Sequence, residues 1–137
     1  MKLAAPGRAH FERHYAELSG KGFFTRLIDY ATSGPVCAMV WEGDNVVATG
    51  RKMLGSTNPY DSAPGTIRGD FSIDVARNVV HGSDSVEAAN REIAHWFTRE
   101  GELCEWTHHS EDAWVYDYSG GKKNAGNATH GAPRPKL

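Results

Sequence analysis

The stretch Phe71-Ser72-Ile73-Asp74-Val75-Ala76-Arg77-Asn78-Val79-Val80-His81-Gly82-Ser83-Asp84-Ser85 passes through three patterns in turn. Phe71, Ile73 and Val75 alternate with polar residues, which predicts a half-buried strand over 71–75. Ser83 or Asp84 can cap a helix running from Ser85 to Phe97, because Val86, Ala89, Ile93 and Trp96 or Phe97 recur at helical spacing. His81 then sits just ahead of an electropositive helix end. Gly82 beside it allows a sharp turn or the close approach of a ligand. A neutral imidazole near pH 7 is a competent nucleophile toward phosphorus, provided that positive groups accommodate the incoming charge. A histidine ahead of a helix is more often a cap or a surface residue, so the chemistry depends on what else converges there.

Upstream, Phe11, Tyr15 and Leu18 predict a helix over 8–18, broken by Ser19-Gly20-Lys21-Gly22. Phe23 to Tyr30 resumes helical spacing and stops at Ser33-Gly34-Pro35. Val36-Cys37-Ala38-Met39-Val40-Trp41 is a continuous apolar run between turn formers, the pattern of a central strand covered on both faces. Asp44 or Asn45 can cap a helix through Val46, Val47 and Met53, and Gly55 to Gly65 reads as a loop. Downstream of Phe97, Glu102, Cys104, Trp106 and Trp114 predict a strip packed onto the body. From Ser119 to Leu137 large apolar residues are absent until the last position, so burial cannot offset the entropy of ordering. This divides the chain into a domain over 1–118 and a disordered basic tail over 119–137.

With 137 residues, 39% of them apolar, the chain can bury one core without covalent staples. A formal charge of −2 carries no footprint of nucleic-acid binding, although Lys122, Lys123, Arg134 and Lys136 make the tail basic while all 17 acids precede it. Cys37 and Cys104 have neither the number nor the spacing of a disulfide framework or a zinc site, and read as reduced thiols. Of the seven histidines only His108 and His109 are adjacent, and adjacent side chains do not converge on one ion. No signal peptide and no long apolar span is present, so the expected setting is a soluble, cytoplasmic one.

Several further groups suit phosphate. Arg51, Thr57, Arg68 and Asn78 lie between the apolar run and His81, and guanidinium forks match phosphate oxygens while neutral donors position a sugar. Taken singly, each arginine is better explained by a surface ion pair; the set points to a polyphosphate. No P-loop, kinase glycine loop or dinucleotide fingerprint occurs, so binding would rest on side chains.

These residues resemble a known family. Gly34-Pro35-Val36, Met39-Val40-Trp41-Glu42-Gly43, Gly50-Arg51, Leu54 to Pro59, Asp61-Ser62, Pro64 to Asp70 and Arg77 to Ser85 closely resemble nucleoside diphosphate kinase, in order, from about His14 to Asp117. The resemblance implies a ferredoxin-like α/β sandwich, with an antiparallel sheet and helices on its faces. It implies transfer of the γ-phosphate of ATP, GTP or another nucleoside triphosphate to a diphosphate, by a ping-pong route through phosphorylated His81, with Mg2+ arriving on the nucleotide. Catalysis would fall to His81, Glu92, Ser83 and Tyr15. Nucleotide binding would fall to Phe23 and Val75 around the base, Arg51, Thr57 and Arg68 at the phosphates, and Asn78 at the sugar. Assembly as a hexamer or tetramer is implied too, with Asn58 to Gly65 at or near subunit contacts.

The family's opening strand with Lys-Pro-Asp-Gly, its following helix and its second strand have no counterpart here, so a lysine expected at the terminal phosphate is missing. Two explanations stand: a start at an internal methionine of a longer protein, or a shortened relative. The second leaves open a non-catalytic binding or assembly subunit.

Overall fold

Helix formers and caps, rather than strands, dominate the architecture. The computed structural model describes residues 1–104. The elements are β1 (Lys2–Ala4), α1 (Arg8–His14), α2 (Phe24–Ala31), β2 (Val36–Ala38), α3 (Val46–Leu54), α4 (Ile67–Phe71) and α5 (Val86–Trp96), with short 3-10 turns at Ala16–Leu18, Pro59–Asp61 and Val75–Arg77. The expected strip at Trp106 and Trp114, the His108-His109 pair and the tail over 119–137 lie outside the described residues.

β1 and β2 pair antiparallel with Leu3 opposite Cys37, flanked by Lys2 opposite Ala38 and Ala4 opposite Val36. The pleat puts Leu3 and Cys37 on an open face while Lys2, Ala4, Val36 and Ala38 are half-buried. Lys2–Ala4 form a strand that no periodicity revealed, and one expectation is corrected. The run Val36 to Trp41 is not a central strand among the described residues: only Val36–Ala38 pairs, and Met39 and Trp41 are about half exposed. Lys2 ties this strand pair to the end of α5, donating to the Trp96 carbonyl and to Glu102 Oε1 at 2.8 Å, with its ammonium 4.9 Å from the Phe97 ring centre.

The helices bury a compact apolar set: Phe11 of α1, Ile28 of α2, Leu54 of α3, and Ala88 and Ala89 of α5. α1 packs on α2, α2 on the Val75–Arg77 turn, and α3 on α4. The helix expected over 8–18 stops at His14; Tyr15 leaves helical geometry and a 3-10 turn follows. α2 ends as its sequence predicts, with Thr32 Oγ1 donating back to the Ile28 carbonyl at 2.8 Å. α3 starts at Asn45 in a left-handed conformation (φ 52°) with no side-chain cap, so the expected capping by Asp44 or Asn45 is not made. α5 is capped by Ser85, whose Oγ accepts from the Ala88 amide at 3.1 Å, in place of Ser83 or Asp84.

The strand expected over 71–75 is also overturned. Phe71 ends α4, which begins at Thr66, whose Oγ1 accepts from the Gly69 amide at 3.1 Å. Asp74 starts the next turn by accepting from the Ala76 amide at 2.9 Å. Thr and Asp side chains thus offered the backbone local partners that compete with a sheet ladder. The alternating Phe71, Ile73 and Val75 remain 76%, 86% and 52% exposed. Gly55 to Gly65 is ordered, with Ser62 Oγ donating to the Ser56 carbonyl at 3.1 Å.

No helix among the described residues is long and apolar enough to cross a membrane.

Candidate functional site

A bend built from backbone strain brings the site together. Val79 has φ 57°, a region that disfavours a β-branched residue, and Val80 N–H donates to the Asn78 carbonyl at 2.7 Å across it. What holds the bend is Arg68 of α4, 4% exposed. Its Nη2 donates to the Val80 carbonyl at 2.7 Å, Nη1 to the Gly55 carbonyl at 3.1 Å and Nε to the Asn78 carbonyl at 3.4 Å. Arg51 of α3 adds a bond from Nη1 to the Gly82 carbonyl at 3.1 Å. Asn78 Nδ2 donates to the Thr57 carbonyl at 3.2 Å. A Cβ at 82 would run into the end of the Leu54 side chain, which would have to shift to admit it.

His81, next after the bend, is held by α5. Its Nε2 lies 2.8 Å from Glu92 Oε2, and buried Ser83 donates its Oγ–H to the same oxygen at 2.7 Å. Burial pushes the Glu92 carboxyl up, but the hydrogen bonds and charge of His81, with Ser83 helping, outweigh it and hold the group below the usual carboxylate range. An ionised carboxylate only accepts, so His81 donates through Nε2–H and keeps its lone pair on Nδ1.

α1 supplies the wall beside it. The His14 ring meets the His81 ring edge-on with centres 4.6 Å apart, and Tyr15 does so at 5.9 Å. Burial, reinforced by the nearby His81, pulls His14 down to about 4, so it is neutral at pH 7. Burial, with Glu92 adding, pushes Tyr15 up to about 12 while Arg68 opposes, so its hydroxyl stays a donor. Burial and then the like charge of Arg51 lower Arg68 from its ordinary value. Neither arginine has a carboxylate partner among the described residues. Two neighbouring guanidiniums left without counter-ions at a cavity wall are suited to a polyanion.

All of this opens on one cavity of about 850 Å³. Tyr15, Phe23, Arg51, Thr57, Arg68, Val75, Asn78, His81 and Glu92 line it; Ser83 stands behind, acting through Glu92. Phe23 and Val75, each about half exposed, offer apolar surface to it. The sequence reading missed Arg13, His14, Arg26 and Arg91, which also line it, and the wall has no lysine among the described residues. Arg91 reaches Glu17 at 3.3 Å. The pairing of His14 with Tyr15 at the end of α1 was the available signal for His14.

His14, His81 and Glu92 also bring ligand atoms within 4.8 Å of one another. Each is already engaged in a way that opposes a shared cation. Trp96 Nε1–H donates to His14 Nδ1 at 3.1 Å, which places the ring's own proton on Nε2, and Glu92 accepts from both His81 and Ser83. His81 and Glu92 belong to a hydrogen-bonded relay with Ser83, and His14 meets it by ring contact alone.

Residues 1–101 match the family model of nucleoside diphosphate kinase. The chain is 62% identical over 117 residues to a nucleoside diphosphate kinase of Neurospora crassa, covering 85% of this chain and 76% of that protein, and 58% identical to one of Brugia malayi, covering 85% and 75%. Among solved structures, nucleoside diphosphate kinase from Encephalitozoon cuniculi matches with a TM-score of 0.76 at 39% identity, covering 84% of this chain and 76% of that one. A family protein from Babesia bovis matches with the same TM-score at 43% identity, with the same coverage. The small antiparallel sheet and its helices are therefore part of the ferredoxin-like α/β fold expected from the sequence, and the chain belongs to the nucleoside diphosphate kinase family.

Proposed function

We propose that this chain transfers the γ-phosphate of a nucleoside triphosphate to a nucleoside diphosphate in two steps through His81. The observation that carries this reading is the Ser83–Glu92–His81 relay opening on the same cavity as Arg51 and Arg68. His81 Nδ1 attacks the γ-phosphorus, an N–P bond forms, and the bond to the bridging oxygen breaks so that the diphosphate leaves with the electron pair. The phosphorylated ring keeps its proton on Nε2, and the carboxylate of Glu92 faces the positive charge that develops there. An oxygen of the second diphosphate then attacks the same phosphorus and regenerates His81.

Arg51 and Arg68 hold the phosphates, Thr57 and Asn78 position the chain and sugar, and Phe23 and Val75 flank the base mainly by apolar contact, which tolerates different bases. Tyr15 offers a protonated hydroxyl to the same wall. Mg2+ enters on the nucleotide, as part of the substrate. The active form is a homo-oligomer, hexamer or tetramer.

The test is labelling with γ-labelled ATP and Mg2+, followed by chase with a diphosphate. Acid-labile label on the unaltered chain, absent in His81→Asn and discharged by diphosphate, is the expected result. Label that survives His81→Asn removes His81 as the acceptor, and nucleotide binding without any label leaves a non-catalytic binding subunit.

A further inference from the structure

α1 and α5 meet largely through rings. His10 lies on His95 with ring centres 4.0 Å apart and planes at 21°, and His95 lies nearly parallel to His14 at 6.3 Å and 12°. His14 then meets His81. Trp96 stands edge-on to His10 at 4.4 Å and to His14 at 5.6 Å. Four imidazoles thus run from the far side of α1 to the phosphoryl acceptor, and the reaction above uses only the last.

The stack is built for neutral rings. His95 Nε2 lies 3.0 Å from the His10 carbonyl, so that nitrogen carries the proton and donates. His10 Nε2 is buried and has no hydrogen-bond partner. The charged or titratable groups acting on His10 are Lys2 from β1, Arg13 from its own helix and His95 from α5, all basic. His14, the next ring, faces His81, His95 and His10, with Glu92 as its acid. A second proton on His10 would meet no counter-ion among the described residues, and a proton on both His10 and His95 would set like charges face to face.

We propose that the His10–His95 stack is an acid-sensitive latch: with both rings neutral it holds α1 against α5, and its protonation parts the two helices and disables transfer at His81. α1 ends at His14, with Tyr15 next in the chain, so parting α1 from α5 draws these rings away from His81, whose ring centre lies 4.6 Å from that of His14 and 5.9 Å from that of Tyr15. Burial, with the neighbouring His95 second, lowers His10 from its ordinary value. A histidine lowered in the fold takes its proton more readily when the fold opens, so stability falls as pH drops through about 6.5. The loss of transfer rests on His81 being the acceptor; the loss of helix contact does not.

The full chain, His95→Leu and His95→Gln are compared for thermal midpoint between about pH 7.5 and pH 5.5, alongside labelling by ATP. The unaltered chain should lose roughly 5 °C or more over that interval and His95→Leu clearly less, because an apolar side chain keeps the packing without taking a proton and only the share of His14, common to all three proteins, remains. The ratio of labelling at the lower to the higher pH should rise in His95→Leu. In the unaltered chain, an NMR titration assigned with His10→Gln should show His10 titrating below a free imidazole. An equal fall in all three proteins, or His10 titrating at the ordinary value, overturns the latch, and the second outcome needs no variant to fold. Absence of label at the higher pH in the unaltered chain contradicts the proposed function instead, and leaves the thermal comparison to decide the latch.

Discussion

The loop from Asn78 to Ser83 and the antiparallel β1–β2 strand pair are both short, yet they are held in opposite ways. The loop has no ladder and is fixed by side chains: Arg68 takes three carbonyls, Arg51 one, and Glu92 gathers His81 and Ser83. The strand pair has a regular ladder of three residue pairs but leaves Leu3 76% exposed. A position that must be accurate to a fraction of an ångström is thus specified by buried charged donors, whose loss leaves carbonyls unpaired. The strand pair is specified by that short ladder and one lysine tether, which tolerate change.

Arg68→Ala should break this contrast most severely. It removes a buried fork from three carbonyls, costing roughly 2–4 kcal/mol of stability, and removes charge from the phosphate wall, lowering transfer roughly 10- to 1000-fold. Arg51→Ala should show a similar kinetic loss with a smaller stability loss, because Arg51 holds only the Gly82 carbonyl. Denaturant unfolding alongside steady-state transfer separates the two effects. Equal destabilisation by both changes would show that Arg68 is not the clamp.

Glu92→Gln should come next, with transfer lowered roughly 10- to 1000-fold while binding of diphosphate is largely kept. It also carries a pH signature. The carboxyl is held below its ordinary range in the fold, so its contribution to stability is present above about 4.3 and is lost as pH falls through the folded value. The amide variant should lose that slope in an acid titration. His14 acts in a different window: drawn down to about 4, it lowers stability as pH falls from about 6.5 toward that value. A Glu92→Gln curve that keeps its full slope near pH 4 would mean that the carboxylate is not stabilised by His81 and Ser83.

The strained bend offers a smaller and opposite effect. Glycine accepts φ 57° freely, so Val79→Gly removes a strain of about 1–3 kcal/mol against an unfolded-state entropy cost of about 0.5–1 kcal/mol. The expected net gain is about 1 kcal/mol in thermal unfolding. Transfer should fall at the same time, because a looser bend presents His81 less uniformly. Lower stability in this variant would show that the side chain of Val79 contributes more by packing than its backbone costs.

How much of this was legible in the sequence differs between the same two regions. The site residues were readable because their types are chemically demanding and cluster in the chain: Asn78, His81 and Ser83 fall within one turn, and Arg51 and Arg68 flank a marked Gly/Pro loop. α2 and α5 were readable because their apolar spacing serves one buried face. The strand expected over 71–75 failed because alternation is equally a pattern of exposed residues, and Thr66 and Asp74 decided the backbone locally. β1 was too short to carry a period. The His10–His95–His14 stack and the Trp96 bond to His14 join residues more than 80 apart, so no local pattern announces them.

The β1–β2 strand pair provides the last and smallest change. Leu3 is 76% exposed and sits opposite Cys37, also exposed, on the open face of a two-stranded sheet. An apolar residue on a short open edge invites pairing with another chain, and a lysine there opposes it by charge and by desolvation cost. Leu3→Lys removes almost no buried area, so stability should change by no more than about 0.5 kcal/mol. Because no bond links Leu3 to the Arg68 clamp or to Glu92, transfer per folded chain should stay within roughly 2-fold of the unaltered protein, a barrier change of about 0.4 kcal/mol. Sedimentation should shift toward smaller species if the open face of the strand pair takes part in self-association. A large fall in transfer with unchanged unfolding would couple the strand pair to the site and erase the division between a specified loop and a tolerant sheet.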